Sequence, residues 1–398
     1  MILYFRTVYN TMKSKYPYLL ALVFLSIWAC GTSDAEESID IQGGPEIHSA
    51  SVISGELAYY QEHVEDFVDS MLGKSSFTGG ILIAKNGNIL FERYYGYTNP
   101  RKKAEPINAS TPIHLASVSK PLTALGILKF VQEGKLNLDD SAYNYLPGFP
   151  LKNITIKSLL NHRSGLPNYA HYMDQMGWDR NRLMTNKDIL DFINERHAEI
   201  PLWRPEMKFS YSNTNYALLA LIIENLSGQT YADYMRLSVF EPLGMKNTFV
   251  YQPSDSLKAL SSYYYNGREF PFDFLDLVYG DKNIYSTPTD LLKFEQMINS
   301  GSVISDELRN VAFQGYSYER KGINNYGLGW RLIEFNHGKK MVYHQGWWHG
   351  SRTAIYMLPD ENVTIIALCN NNYKPVYNLR LIADVFGNYF NKGPVVQF

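Results

Sequence analysis

Leu57, Tyr60, Val64, Phe67, Met71 and Leu72 recur at spacings of three and four. That is the period of one helix face and predicts an amphipathic helix over about 55–73. The pattern then changes. Gly80-Ile81-Leu82-Ile83-Ala84 and Asn88-Ile89-Leu90-Phe91 flank Asn86-Gly87, and that dipeptide between apolar runs is a strong hairpin signal. From Ser117 to Glu133 the period is helical again and stops at Gly134, a residue suited to the position just past a helix end. Between about 139 and 300 helical stretches dominate, among them Thr185–Arg196, Asn215–Leu226 and Thr230–Leu237. Strand patterns resume at Gly327–Ile333 and continue through Met341–Tyr343, Arg352–Leu358 and Val363–Leu368. Val376, Leu379, Ile382, Phe386 and Phe390 mark a closing helix. No internal repeat is visible. The two ends of the chain, about 55–116 and 325–398, are expected to share one sheet, with a helical region over about 117–300 between them.

The first 54 residues stand apart. Residues 1–29 carry Arg6, Lys13 and Lys15 and no acid, and Leu19–Ala29 is apolar but for one serine. Eleven residues are too few to span a bilayer and suit a signal peptide. The run ends at Ala29-Cys30-Gly31, which resembles a bacterial lipobox, so Cys30 is the expected lipidation site. The expected product is an exported lipoprotein, outer-membrane-associated and facing the periplasm or the cell surface. A plain signal peptide cut nearby is the alternative, and Met12 is an alternative start. Residues 30–54 are polar and aperiodic and read as a flexible tether, leaving 55–398 as the folded domain.

Composition narrows the function classes. Against 37 Lys+Arg stand 39 Asp+Glu, and no basic cluster appears, which argues against nucleic acid as a partner. The second cysteine, Cys369, ends the apolar run Val363–Leu368 and reads as a buried thiol.

Candidate chemistry lies in short motifs. In Ser117-Val118-Ser119-Lys120 the first and last residues share a helix face. A serine needs an adjacent base to act as a nucleophile, and a lysine serves if burial favours its neutral form. In Tyr211-Ser212-Asn213, a phenol near Lys120 could relay the proton to a leaving group, and the Asn213 amide could hold Lys120 and the substrate. His344-Gln345-Gly346 leads into a strand, where glycine allows a substrate backbone to approach and the next N–H can join an oxyanion hole.

In this order the motifs resemble the serine β-lactamase and penicillin-binding-protein superfamily, in the branch of class C β-lactamases, D-alanyl-D-alanine carboxypeptidases and related esterases. Asn161-His162-Arg163-Ser164-Gly165-Leu166, Tyr285-Ser286-Thr287-Pro288-Thr289-Asp290 and His344-x-Gly346-x-x-x-Gly350 add to it. The resemblance covers about 55–390. It implies an α+β fold of the β-lactamase/transpeptidase type: an antiparallel sheet flanked by helices, an all-α insertion domain, and a site in the cleft between them. Ser117 would be acylated by an ester, amide or lactam carbonyl, with the oxyanion on the backbone N–H groups of Ser117 and Trp347. Lys120 and Tyr211 would share the general-base work, and no cofactor or metal is implied. Expected partners are an ester or peptide substrate, peptidoglycan-derived peptides included, and a membrane through the lipid anchor. A weak β-lactamase and a non-catalytic surface-anchored binding protein with this fold are the alternatives.

Two departures shape expectations further. His344 and Gln345 stand where the family motif has Lys and Thr, so a substrate carboxylate is expected to be held less firmly, and β-lactamase activity to be poor. With an ordinary imidazole pKa near ~6.5, activity on acidic substrates is expected to improve toward pH 6. Pro205-Glu206 replaces an expected Pro-Gly, which should reshape that loop. Tyr263-Tyr264-Tyr265 and Phe270-Pro271-Phe272 read as ordinary packing or as the lining of an acyl pocket.

Overall fold

A computed structural model describes residues 54–72 and 75–390; the expected signal, the expected lipidation site Cys30 and the expected tether up to residue 53 lie outside them. Helix α1 (Ser54–Leu72) precedes the hairpin of β1 (Gly79–Lys85) and β2 (Asn88–Tyr95). Asn86 and Gly87 both take positive φ, 51° and 80°, as a two-residue hairpin turn with the strand twist requires. Short β3 (Ile113–His114) leads through a 3₁₀ turn (Ala116–Val118) into α2 (Ser119–Gln132). The helical region follows with α3 (Ile156–Leu160), α4 (Tyr169–Gln175), α5 (Asn186–Arg196), α6 (Asn213–Ser227) and α7 (Tyr231–Met235). Thr185 caps α5 with its hydroxyl on the Asp188 N–H, and Asp188 answers it in a capping box. Then come β4 (Phe249–Val250), β5 (Ile284–Ser286), α8 (Pro288–Asn299) and α9 (Asp306–Ala312). The chain returns to the sheet with β6 (Asn324–Tyr326), β7 (Arg331–Glu334), β8 (Lys340–Trp348), β9 (Ser351–Leu358) and β10 (Val363–Cys369).

Seven strands form one antiparallel sheet in the order β2-β1-β10-β9-β8-β7-β6. The N-terminal hairpin docks by β1 on β10, with Leu82 opposite Ile366. Both faces are covered, which is why β1 and β10 read as unbroken apolar runs rather than alternating ones. Ile81, Ile83, Ile365 and Ala367 pack with Val64 and Val68 of α1 and with Val376 and Ile382 near the C-terminus. Leu82, Ile366 and Leu368 face the other way, into the core shared with α2, α6 and α8. Cys369 is fully buried, and burial pushes its thiol up to about 11.

The closing segment differs from the expected single helix: Lys374–Ile382 is 3₁₀ and only Ala383–Phe386 is α-helical. A second, three-stranded sheet in the order β3-β5-β4 also escapes the hydrophobic pattern, because strands of two or three residues are too short to show a period. That small sheet positions the site. Its pairing of Ile113 with Ser286 and of His114 with Tyr285 brings the segment around residue 281 beneath the turn that holds Ser117.

Candidate active site

The turn after β3 is strained and held. Ala116 has φ of +50°, a region costly for a residue with a β-carbon. Its N–H donates to His114 Nδ1 (3.1 Å), and the Leu115 carbonyl accepts from Thr353 Oγ1 on β9 (2.5 Å). Burial, the largest influence, pushes His114 down to about 4, so the ring is neutral and its Nε2–H is left for Asn283 Oδ1 at 2.9 Å. Ser117 thus sits in the 3₁₀ turn, one residue pair ahead of α2 rather than on it, and stays half-buried.

Lys120 is fully buried and meets three oxygens: Ser117 Oγ at 3.1 Å, Asn213 Oδ1 at 2.9 Å and the Asp281 carbonyl at 2.9 Å. Three acceptors match the three donors of an ammonium. In the neutral amine the two N–H groups keep Asn213 and Asp281, and the lone pair faces the Ser117 hydroxyl. Asn213 Nδ2 is left for a substrate.

Tyr211 lies beside this pair, its ring centroid 5.0 Å from Lys120 Nζ. Its loop is tied to the Asn161–Leu166 segment: the Ser212 N–H donates to His162 Nδ1 (3.2 Å), and the His162 ring lies 4.3 Å from that of Tyr211, tilted by 42°. Burial first, then Lys120 and Arg331, keep His162 neutral, well below the ordinary imidazole range. At Pro205-Glu206 the backbone takes a form that the expected glycine would also favour. Glu206 adopts φ of +63°, the conformation that favours glycine, and Arg163 clamps it through Nε to its carboxylate (2.7 Å) and Nη2 to its carbonyl (2.6 Å).

At the third motif the structure corrects the reading of His344. The imidazole is fully buried. Its Nδ1–H donates to the Gln345 carbonyl (2.9 Å) and its Nε2 accepts from the Tyr326 hydroxyl (3.1 Å), so neither nitrogen is offered to a substrate. Burial, Arg331 and Lys120 together hold it well below 6.5. This enclosure gives no support to the expected gain of charge at His344 toward pH 6. Gln345 points away as well, donating to Tyr356 Oη (2.7 Å). Gly346 is demanded by the protein's own packing. A β-carbon there would stand 2.3 Å from Thr353 Oγ1, 2.4 Å from the Leu115 carbonyl and 3.0 Å from the Ala116 β-carbon. This close approach brings the segments of the two expected oxyanion donors, Ser117 and Trp347, together. The Trp347 side chain is exposed at 65%, with Arg352 stacked on it at 4.3 Å.

Three neighbours were not legible as site residues. Asp281 contributes a carbonyl, which has no side-chain signature. His162 belongs to a quoted motif but acts from behind Tyr211. Arg331 begins β7, where a single arginine carries no pattern; its guanidinium lies 4.9 Å from the Tyr211 ring. Among the described residues no carboxylate pairs with it. Burial opposes its charge, but a guanidinium stays protonated all the same. Arg331, Tyr326, Lys208 and Arg320 line a cavity of about 540 Å³. Of the two aromatic stretches, Tyr263 is buried and Tyr264 stacks on Phe270 at 3.6 Å, which is packing, while Phe270, Pro271 and Phe272 line a separate cavity.

Comparison with known proteins bears on the family and the fold. The family described as Beta-lactamase matches residues 63–386. Penicillin-binding protein 4* of Bacillus subtilis (strain 168) is 32% identical over 341 residues, covering 81% of this chain and 74% of that one. Protein flp of Staphylococcus aureus is 30% identical over 338 residues, 80% of this chain and 65% of the relative. The octameric penicillin-binding protein homologue from Pyrococcus abyssi superposes with a TM-score of 0.69 at 26% identity, over 81% of this chain and 77% of that one. The penicillin binding protein from Bacillus halodurans shares the fold at a TM-score of 0.67 and 22% identity, over 79% of this chain and 98% of its own.

Proposed function

This chain belongs to the β-lactamase family, and from that premise we propose that it is a serine hydrolase which forms an acyl-enzyme on Ser117 and releases a leaving group that carries an anion. The observation that carries the reading is Lys120, fully buried and held between Ser117 Oγ, Asn213 Oδ1 and the Asp281 carbonyl. As the neutral amine, Lys120 takes the hydroxyl proton while Ser117 Oγ bonds to the substrate carbonyl carbon. The oxyanion falls to the N–H groups of Ser117 and Trp347. The bond to the leaving atom then breaks, and the proton reaches that atom by way of Tyr211. Water attacks the acyl ester, gives its proton back through the same groups, and frees Ser117.

Because Tyr211 serves the leaving atom, the leaving group departs toward Tyr211, where Arg331 borders the cavity of about 540 Å³. A C-terminal carboxylate is the natural partner of that guanidinium. A carboxypeptidase-like reaction on a short peptide therefore fits better than cleavage of a neutral ester. Arg331 supplies the permanent positive charge that His344 lacks.

Treatment with a serine-directed phosphonate should raise the intact mass by one adduct in the wild type and by none in Ser117→Ala. An adduct retained in the variant would refute the assignment. For the tether, we propose lipidation at Cys30 on the strength of the Ala29-Cys30-Gly31 segment. Cys30→Ser should leave the membrane fraction and lose the lipid mass.

A further inference from the structure

A second cavity, of about 230 Å³, opens where β3, β5 and the end of β8 meet, and shares no lining residue with the one at Arg331. None of Ser117, Lys120, Tyr211 and Trp347 lines it, but residues close in the chain to both candidate oxyanion donors do. His114, in its wall, holds the Ala116 N–H next to Ser117, and Trp348, also in its wall, follows Trp347. With the leaving group directed to the Arg331 side, this cavity is left for the acyl side.

Its walls have a distinct chemistry. Tyr251, Phe270, Phe272, Tyr285 and Trp348 supply aromatic surface, and Asp276 and Glu269 supply carboxylates, with no lysine or arginine in the lining. Burial works against the Asp276 carboxylate, yet donors from His349, Asp273 and Trp348 hold it below the ordinary range; Trp348 Nε1 reaches it at 2.6 Å and His349 Nε2 at 3.0 Å. His349 is itself part of the wall and stacks with Phe270 at 5.5 Å. Lys282 lies behind Trp348 at 4.8 Å from its ring and is paired with Asp281 at 3.5 Å, and Lys258 sits on the Phe249 ring at 3.7 Å. His114 is neutral. Aromatic faces with carboxylates among them attract cations, by about 0.5–2 kcal/mol for each well-placed ring, and an acidic cleft concentrates positive ligands.

We propose that this cavity receives the acyl half of the substrate and selects an acyl group bearing a positively charged nitrogen, a primary or alkylated ammonium. The proposal rests on the acyl-enzyme reading above. Together with Arg331 it makes the site bipolar, cation on the acyl side and anion on the leaving side, the charge pattern of a short peptide with both ends free.

The test compares two isosteric acyl groups, 4-(trimethylammonio)butyryl and 5,5-dimethylhexanoyl, on one phenol as esters and on one phosphonate inactivator. The cationic ester should have a kcat/KM about tenfold higher or more. That ratio should fall severalfold in Asp276→Asn and in Phe270→Leu. A wild-type ratio of one or below overturns the proposal, as does a ratio that survives both variants. Should Asp276→Asn fail to fold, the wild-type ratio and Phe270→Leu still decide. The phosphonates separate the two readings. Equal labelling of Ser117 by both sinks the pocket and leaves the acyl-enzyme standing, whereas no labelling by either sinks the acyl-enzyme itself.

Discussion

At 4.9 Å from the Tyr211 ring, the Arg331 guanidinium has a phenol for a neighbour and, among the described residues, no carboxylate paired with it; Glu319, which lines the same cavity, is held by Arg163. A guanidinium stays charged whatever its surroundings, so a partly buried one without an anion is poised to gain from a ligand that brings one. A charge-assisted bond of this kind contributes about 1.5–3 kcal/mol. Arg331→Met should therefore lower kcat/KM for substrates with a carboxylate on the leaving group by about ten- to a hundredfold, and much less for neutral esters, as measured on a matched pair. His344 makes a contrasting contribution. Neutral and closed off by Gln345 and Tyr326, it should impose no rise in activity on acidic substrates between pH 8 and pH 6. A rise centred near 6.5 would mean that the imidazole titrates and faces the substrate.

At the level of elements, the nucleophile depends on a contact between a strand and a turn. β8 meets the Ala116–Val118 turn at Gly346, where a β-carbon would collide with backbone at Leu115. Backbone cannot yield as a flexible side chain can, so the strand or the turn must move. Displacements of about 1 Å at a reacting group cost on the order of a hundredfold in rate. Gly346→Ala should slow phosphonate labelling of Ser117 by about that factor, and circular dichroism should still show a folded protein. Labelling at the wild-type rate would show that the contact does not set the geometry. The strained φ at Ala116 belongs to the same device, because it turns Ser117 toward Lys120 while His114 and Thr353 hold the turn from either side.

At the scale of the whole molecule, three histidines among the described residues are buried and neutral: His114, His162 and His344. In each, burial holds the folded pKa below the unfolded value near 6.5. Each site then binds a proton on unfolding, so the stability they contribute is complete above about pH 6.5 and drains away as the pH falls below it. With three such sites the slope near pH 5 should approach about 4 kcal/mol per pH unit. Urea midpoints measured from pH 8 to pH 5 should be level at first and then drop steeply. A midpoint independent of pH down to 5 would show that the rings are protonated in the fold.

What the sequence by itself determined is whatever is local in the chain. The periods of two and of three to four residues set out the helices and the double-faced strands, and the ordered motifs indicated the family, the α+β fold and the cluster of Ser117, Lys120, Tyr211 and Asn213. Each of those signals lies within a few neighbouring residues, where spacing alone places side chains on one face. The tertiary structure decided what depends on distant segments and on burial. Lys120 finds its third acceptor 161 residues away, at Asp281, through two strands too short to leave a pattern. Glu206 takes a glycine's conformation because Arg163, 43 residues earlier, clamps it. The charge of His344 follows from its enclosure and from Arg331, not from its type. A pKa and a hydrogen-bond partner are properties of surroundings, and surroundings are assembled only by the fold.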